Sequence, residues 1–332
     1  MFTRKPLHPS DLGLILSYKC QAECVHCLYN CGPGWADWMA EEEIDAALEA
    51  MLVWDQPFQV HITGGEPFLN FPLLLYAVGV AVDLAIPVYV ETNAGWCVRD
   101  ELVMERFTKL KEAGLQAILI SCSPFHAETI PPERTLLGIR LALEVLGSRG
   151  VIVYLPEWID QVRSFGIDGP TPIEHYVETF GEEAAGRLFW EGYGLISGGR
   201  SAYKLGHLTN RHSPEAYRTN NCRREILYAH HSHMDLYGNF ISGFCGGLSE
   251  GDWHDLPGLM DDFERGRYPQ IINTLIESGP YGLMAFARQA FDYQPNEDGY
   301  VGKCHLCVDV RQHLAHKGSF PELEPAEFYK RF

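Results

Sequence analysis

The chain has no long hydrophobic run. No stretch approaches the roughly 20 apolar residues that a membrane helix needs. Residues 1–10 carry Arg4 and Lys5 but no apolar segment of the kind a secretory signal requires. Positive charge is also in short supply: lysine and arginine total 26 against 44 aspartates and glutamates, a net charge of −18. With no basic stripe, that balance argues against a nucleic-acid partner. It favours solubility and is compatible with a basic peptide partner. A hydrophobic share of 46% and a charged share of 21% are ordinary for a globular enzyme. At 332 residues the chain can bury one large core, or one core plus an appendage. Cysteine, by contrast, is plentiful. Ten cysteines, clustered in a leaderless chain, indicate metal ligation in a reducing cytoplasm rather than disulfides.

The densest cluster is Cys20-Gln21-Ala22-Glu23-Cys24-Val25-His26-Cys27. It directly follows Leu12-Gly13-Leu14-Ile15-Leu16-Ser17-Tyr18, an apolar run that reads as a buried strand. The thiols therefore belong on a loop at a strand's carboxyl end, where α/β folds carry their chemistry. Thiolates suit soft metals, and several on one loop suit an iron–sulfur cluster. Three of them leave one iron of a four-iron cube open to an outside ligand. A second signal is Thr63-Gly64-Gly65-Glu66-Pro67, after the plausible strand Phe58-Gln59-Val60-His61-Ile62. A zinc knuckle or a disulfide pair would use the same cysteines, but neither accounts for this Gly-Gly-Glu-Pro turn.

Together and in this order, the two motifs resemble those of the radical S-adenosylmethionine (radical SAM) superfamily, over roughly the first two hundred residues. The resemblance implies a [4Fe–4S] cluster on Cys20, Cys24 and Cys27. It also implies a turn at Gly64, Gly65 and Glu66 that receives the methionyl amino group of S-adenosylmethionine.

Further along, helices are expected near residues 40–54, 71–83, 100–113 and 132–146. Strands are expected at 87–93, 115–121 and 151–155. A weaker helix at 173–185 leads to a sixth strand within 188–196, running into Arg200. Short, continuously apolar strands alternating with helices indicate a parallel sheet covered by helices. The fold class is α/β, a partial (β/α)6 TIM barrel over residues 1–206, as the resemblance also implies. Polar residues at the strand ends then line one mouth. Glu91, Asn93, Ser121 and Ser123 are candidates for the ribose of S-adenosylmethionine. Arg200 is a candidate for its carboxylate, in a fork geometry that lysine cannot match. His126 could contact substrate or shuttle a proton. Cys97 and Cys122, just past strand ends, could return a hydrogen atom to a substrate radical. An inert packed thiol is the ordinary alternative for both.

After residue 206 the rhythm changes. A helix is expected from Arg223, then a β-hairpin, His231 to Tyr237 and Phe240 to Cys245, turning at Gly238-Asn239. Cys222 and Cys245 flank this hairpin, and Cys304-His305-Leu306-Cys307 follows much later. The set resembles the auxiliary-cluster extensions (SPASM and twitch) of radical SAM peptide-modifying enzymes, making residues 207–332 a twitch-like region. Cys222, Cys245, Cys304 and Cys307 would hold an auxiliary [4Fe–4S] cluster. Zinc bound by the same four thiols, or three ligands with one cysteine free, remain alternatives. His230, His231 and His233 suggest a metal site at first sight, but no carboxylate spacing completes one, and a structural or substrate-contact role is the better reading.

The resemblance thus implies an enzyme that cleaves S-adenosylmethionine to a 5′-deoxyadenosyl radical. Its substrate would be a ribosomally made peptide or a small molecule. Its reductant would be a one-electron donor such as flavodoxin or ferredoxin.

Overall fold

The computed structural model describes residues 5–332. Its centre is one eight-stranded sheet with the order β5-β4-β3-β2-β1-β6-β7-β8. Strands β1 (Asp11–Ile15), β2 (Gln59–Thr63), β3 (Val88–Thr92), β4 (Ala117–Ser121) and β5 (Val151–Tyr154) are parallel neighbours. On the other side of β1 lies β6 (His231–Asp235), also parallel. The short β7 (Asn239–Ser242) and β8 (Gly251–Asp252) then continue the sheet antiparallel. The sheet does not close, so the fold is a partial barrel with six parallel strands.

Alternation along the strands sorts its two faces. Leu12 and Leu14, Val60 and Ile62, Val88 and Val90, and Ile118 and Ile120 are all buried in the main core. Helices Glu41–Met51, Phe71–Asp83, Asp100–Glu112 and Pro132–Leu146 cover that face. The opposite, inner face carries Ile15, Thr63, Glu91, Leu119 and Ser121 toward a cavity. Polar and small residues can stand there because this face fronts open space rather than helices.

The sixth strand is not the expected one. Leu188–Gly192 is one turn of π-helix continuing the helix Glu182–Arg187. Its Phe189 is fully buried against Phe125 and Tyr176, with ring centroids at 5.2 and 5.4 Å, so its apolar surface is spent on aromatic packing. β5 consequently remains an edge, with Ile152 and Tyr154 exposed. The sixth parallel strand is His231–Asp235, half of the expected hairpin. That hairpin forms, but its turn is longer than the two residues expected. The carboxylate of Asp235 accepts from the amides of Tyr237 and Asn239, both at 2.9 Å, and Gly238 supplies the positive φ of 90°.

Residues after 206 also share the main core: Cys222, Ile226, Leu275 and Leu306 belong to the cluster containing Leu12 and Leu14. The long helix Gln270–Phe291 is broken at Gly279 (φ 63°) before Pro280 and packs along helix Lys303–Lys317.

Candidate active site

The loop after β1 is pinned before any cofactor is considered. Cys20 donates its amide to the carbonyl of Gly32 (3.1 Å), and Gly32 donates to Tyr18 (3.1 Å). The Tyr18 hydroxyl donates to the buried carboxylate of Asp235 at 2.7 Å. Cys20, Cys24 and Cys27 line a cavity of about 400 Å³, a size suited to a small-molecule cofactor and part of a substrate. All three thiols are free, as is Cys31, which lines the same cavity. Burial, then the charges of Glu66 and Cys27, pushes the Cys20 thiol up to about 12. Burial, then Cys20 and Cys27, also raises Cys24. Cys27 is instead lowered to about 6, chiefly by its hydrogen bond with the Cys31 thiol. Ionising Cys20 and Cys24 beside it calls for a cation among the three sulfurs, so the donor set fits an iron–sulfur cluster.

The Gly-Gly-Glu-Pro turn packs directly on this loop. The amides of Gly65 and Glu66 donate to the carbonyls of Ser17 (2.8 Å) and Lys19 (2.9 Å). A Cβ on Gly64 would stand 2.2 Å from the Ser17 oxygen, and one on Gly65 would stand 2.0 Å from the Lys19 oxygen. The glycines are therefore required by the chain's approach to itself, while both still line the cavity.

Glu66 has a different place from the one expected. It does not line the cavity. Its carboxylate accepts from Thr92 Oγ1 (2.9 and 3.0 Å), the Asn93 amide (2.8 Å) and the Phe68 amide (3.1 Å). Burial raises its pKa to about 7 against the pull of these donors. Glu66 thus positions Asn93, whose Nδ2 donates to Cys20 Sγ at 3.3 Å. Glu91, Asn93 and Ser121 line the cavity as expected. Ser123 does not. It caps the short helix Pro124–Ala127, with its hydroxyl 2.7 Å from His126 Nδ1.

Arg200 is buried beneath the cysteine loop at the cavity wall. Its Nε donates to the carbonyl of Cys24 (3.0 Å) and its Nη2 to that of Cys31 (2.7 Å). Only Nη1 lacks a hydrogen-bond partner. Two thirds of the expected fork is thus spent on holding the loop, and its charge favours the thiolate forms of Cys20, Cys24 and Cys27.

Cys97 and Cys122 fall outside the cavity. Cys97 is fully buried, and a Cβ on Gly138 would lie 3.1 Å from its sulfur. Cys122 follows Ser121 on an extended chain, so it faces the other way, toward Trp158 and Ile159. Neither reaches a substrate in this arrangement. His126 does line the cavity. Burial pushes its pKa down to about 4, so it is neutral at pH 7. A depressed histidine contributes stability that is complete above about pH 6.5 and lost as pH falls toward 4. The loss is at most about 3 kcal/mol, and less where cavity water reaches the ring. His126→Gln is therefore expected to flatten the acid limb of the thermal-unfolding midpoint between pH 6.5 and 4. An unchanged limb would contradict the assignment.

Comparison with known families bears on this geometry. Residues 14–161 match the sequence model of the Radical SAM superfamily. The chain carries a radical SAM domain. Such domains bind a [4Fe–4S] cluster and S-adenosylmethionine, and the three cavity cysteines are the residues that fit the cluster here. A Bacillus subtilis (strain 168) protein named "Putative peptide biosynthesis protein YydG" is 25% identical over 122 residues, 36% of this chain. The match spans 38% of that relative's own length. Similar solved structures include BtrN in complex with AdoMet and 2-DOIA, at 15% identity over 83% of this chain and 90% of that one, TM-score 0.47. Another is anSMEcpe with bound AdoMet and Cp18Cys peptide, at 11% identity over 97% and 95%, TM-score 0.47.

Outside the radical SAM domain, the four later cysteines lie near enough to feel one another's charge. Cys222 precedes helix Arg223–Leu227, Cys245 follows β7, and Cys304 and Cys307 open helix Lys303–Lys317. Burial, then Cys222 and Cys304, raises the Cys245 thiol, and burial, then Cys307, pushes Cys304 up to about 11. Two cations stand by. Lys303 neighbours Cys222 and Cys304, and the buried Arg311 lies one helical turn beyond Cys307. Arg311 also donates Nη1 to the carbonyl of Gly246 (3.1 Å), tying the helix to the Cys245 turn.

The structure adds Tyr29, Tyr193 and Phe244, which sequence reasoning did not assign, and places His231 and His233 on the same cavity. Only the His-x-His pattern gave any advance signal. Among the described residues, no helix is long and apolar enough to cross a membrane.

Proposed function

We propose that this protein is a radical SAM enzyme that modifies a ribosomally made peptide, with a second cluster in the region 207–332. The observation that carries the reading is the set of three free thiols on a braced loop, opening on one cavity beside a double-glycine turn. Bound there, the cluster and S-adenosylmethionine supply reductive cleavage to methionine and a 5′-deoxyadenosyl radical, which removes a hydrogen atom from the substrate.

The chain's own groups then have defined tasks. Gly64, Gly65 and Arg200 Nη1 receive the methionyl end, and Glu91, Asn93 and Ser121 the ribose. Tyr193, Leu195 and Ile196 help shield the cavity from water. Cys222, Cys245, Cys304 and Cys307 would hold the auxiliary [4Fe–4S] cluster, which would supply an electron acceptor for an oxidative product such as a crosslink or thioether. A flavodoxin or ferredoxin supplies the reducing electron. Two features support a peptide substrate: the relative named for peptide biosynthesis, and the exposed Ile152, Tyr154 and Phe244 by the open side of the sheet.

The test uses protein with both clusters restored, S-adenosylmethionine, dithionite and deuterated synthetic peptides from reading frames beside its gene. Deuterium should appear in 5′-deoxyadenosine, and the peptide should change mass or stereochemistry. No 5′-deoxyadenosine would end the enzyme reading. Its formation without deuterium from any such peptide would end the peptide reading.

A further inference from the structure

A second set of metal-type ligands lies on the inner face of the sheet, on three adjacent strands. Gly13 on β1 is in register with His61 on β2 and His233 on β6, and Asp11 with His231. Having no side chain, Gly13 lets rings from both neighbouring strands meet above β1. A Cβ there would stand 2.1 Å from His233 Cδ2 and 2.6 Å from His61 Nε2. One ring nitrogen from each of His61, His231 and His233 lies within 4.8 Å of the others. Among the described residues this is the trio of potential metal ligands that converges so closely.

The partners of each ring favour one set of tautomers. His61 Nδ1 is 3.0 Å from Asp11 Oδ1, and His231 Nδ1 is 3.4 Å from Asp11 Oδ2. His233 Nδ1 is 2.8 Å from the Tyr29 hydroxyl, whose own proton goes to the Gly243 carbonyl at 2.9 Å. In the tautomers that use these oxygens as acceptors, each Nδ1 bears the proton. The three Nε2 atoms are left as lone pairs. His61 Nε2 is buried with no hydrogen-bond partner, and His61 is 0% exposed. His231 Nε2 and His233 Nε2 are 3.1 Å apart, a spacing that either a shared proton or a shared metal ion satisfies. Nitrogens sharing a tetrahedral zinc ion at Zn–N of about 2.0–2.1 Å would be separated by roughly 3.3 Å.

We propose that His61, His231 and His233 form a three-histidine site for a divalent transition metal such as zinc, with Asp11 and Tyr29 orienting the rings. A carboxylate or hydroxyl on the far nitrogen of each ligand is the arrangement that raises imidazole basicity and fixes the ring. Three protein ligands leave a fourth position open. Since His231 and His233 line the cavity that holds the three cysteines, that position is available to a water molecule or a substrate carbonyl oxygen. The metal would then anchor the substrate, a role separate from the radical chemistry.

The test titrates zinc ion into protein with its iron–sulfur clusters already loaded, so that the cluster cysteines are occupied. Wild type should bind one zinc per chain, and X-ray absorption should show nitrogen and oxygen neighbours without sulfur. His231→Gln removes a ligand only partly buried and should weaken binding at least about 100-fold. Asp11→Asn keeps all three ligands and should weaken it about 10- to 100-fold. Circular dichroism confirms that both variants fold. Equal zinc binding by wild type and folded His231→Gln would overturn the proposal, as would sulfur in the zinc shell or no zinc in wild type. The last result would mean that a shared proton separates the two nitrogens. None of these readouts depends on cleavage of S-adenosylmethionine.

Discussion

A chain carrying alanine at Cys20, Cys24 and Cys27 is expected to form no 5′-deoxyadenosine yet still to hold about four irons. The first half follows from the site. These thiols line one cavity with the glycine turn and Asn93, and no other cysteine than Cys31 shares it. Cys31 cannot replace three ligands. The second half follows from the separation of the two cysteine sets. Cys222, Cys245, Cys304 and Cys307 have their own cations in Lys303 and Arg311 and their own supports in helix Lys303–Lys317 and the turn at Gly246. Iron and sulfide are counted before and after the substitution. A variant left without iron would remove the auxiliary cluster from the proposal. Residual 5′-deoxyadenosine would remove the three cysteines from the chemistry.

The next largest effect is expected from Gly65→Ala. The new Cβ would lie 2.0 Å from the carbonyl oxygen and 2.4 Å from the carbonyl carbon of Lys19, with Cys20 N at 2.9 Å. Those are backbone atoms and cannot rotate aside, so either the turn or the cysteine loop must shift. The shift breaks the bonds from Gly65 to Ser17 and from Glu66 to Lys19. Overpacking and two strained hydrogen bonds together cost on the order of 2–4 kcal/mol. A displacement near 1 Å at a reacting centre lowers the rate about 100-fold. Gly79→Ala is the control. Gly79 sits in helix Phe71–Asp83 with nothing near its Cβ position, so alanine there should stabilise by about 0.5–1 kcal/mol. Thermal unfolding and 5′-deoxyadenosine formation measure both. A Gly65→Ala protein matching wild type would refute the close approach.

Local patterning carried the sequence reading where chemistry and structure are local. The cysteine spacing, the double glycine and the first five strands each sit within one short stretch, and the strands appear where their apolar runs predict. Phase along a strand was harder to read. Their place just past strand β4 puts Ser123 with Ser121 and Cys122 at the cavity, although the chain turns each of them away. Glu66 follows the motif closely, yet its oxygens are taken by Thr92 and Asn93, which no reading of its own neighbours would reveal. Arg200 is a site residue as expected, but two of its donors hold the cysteine loop instead of facing the cavity.

The sequence by itself determined the cysteine loop, the glycine turn and the alternating strands and helices, because each depends on residues only a few positions apart. Tertiary structure alone decided that His231–Asp235 rather than residues 188–196 is the sixth parallel strand. It also brought His61 and His231 to one carboxylate at Asp11, with His233 beside them on Tyr29. Both depend on pairing between β1 and a strand some 220 residues away. A strand's partner is chosen by the surface that burial leaves available, and that surface exists only once the rest of the chain has folded.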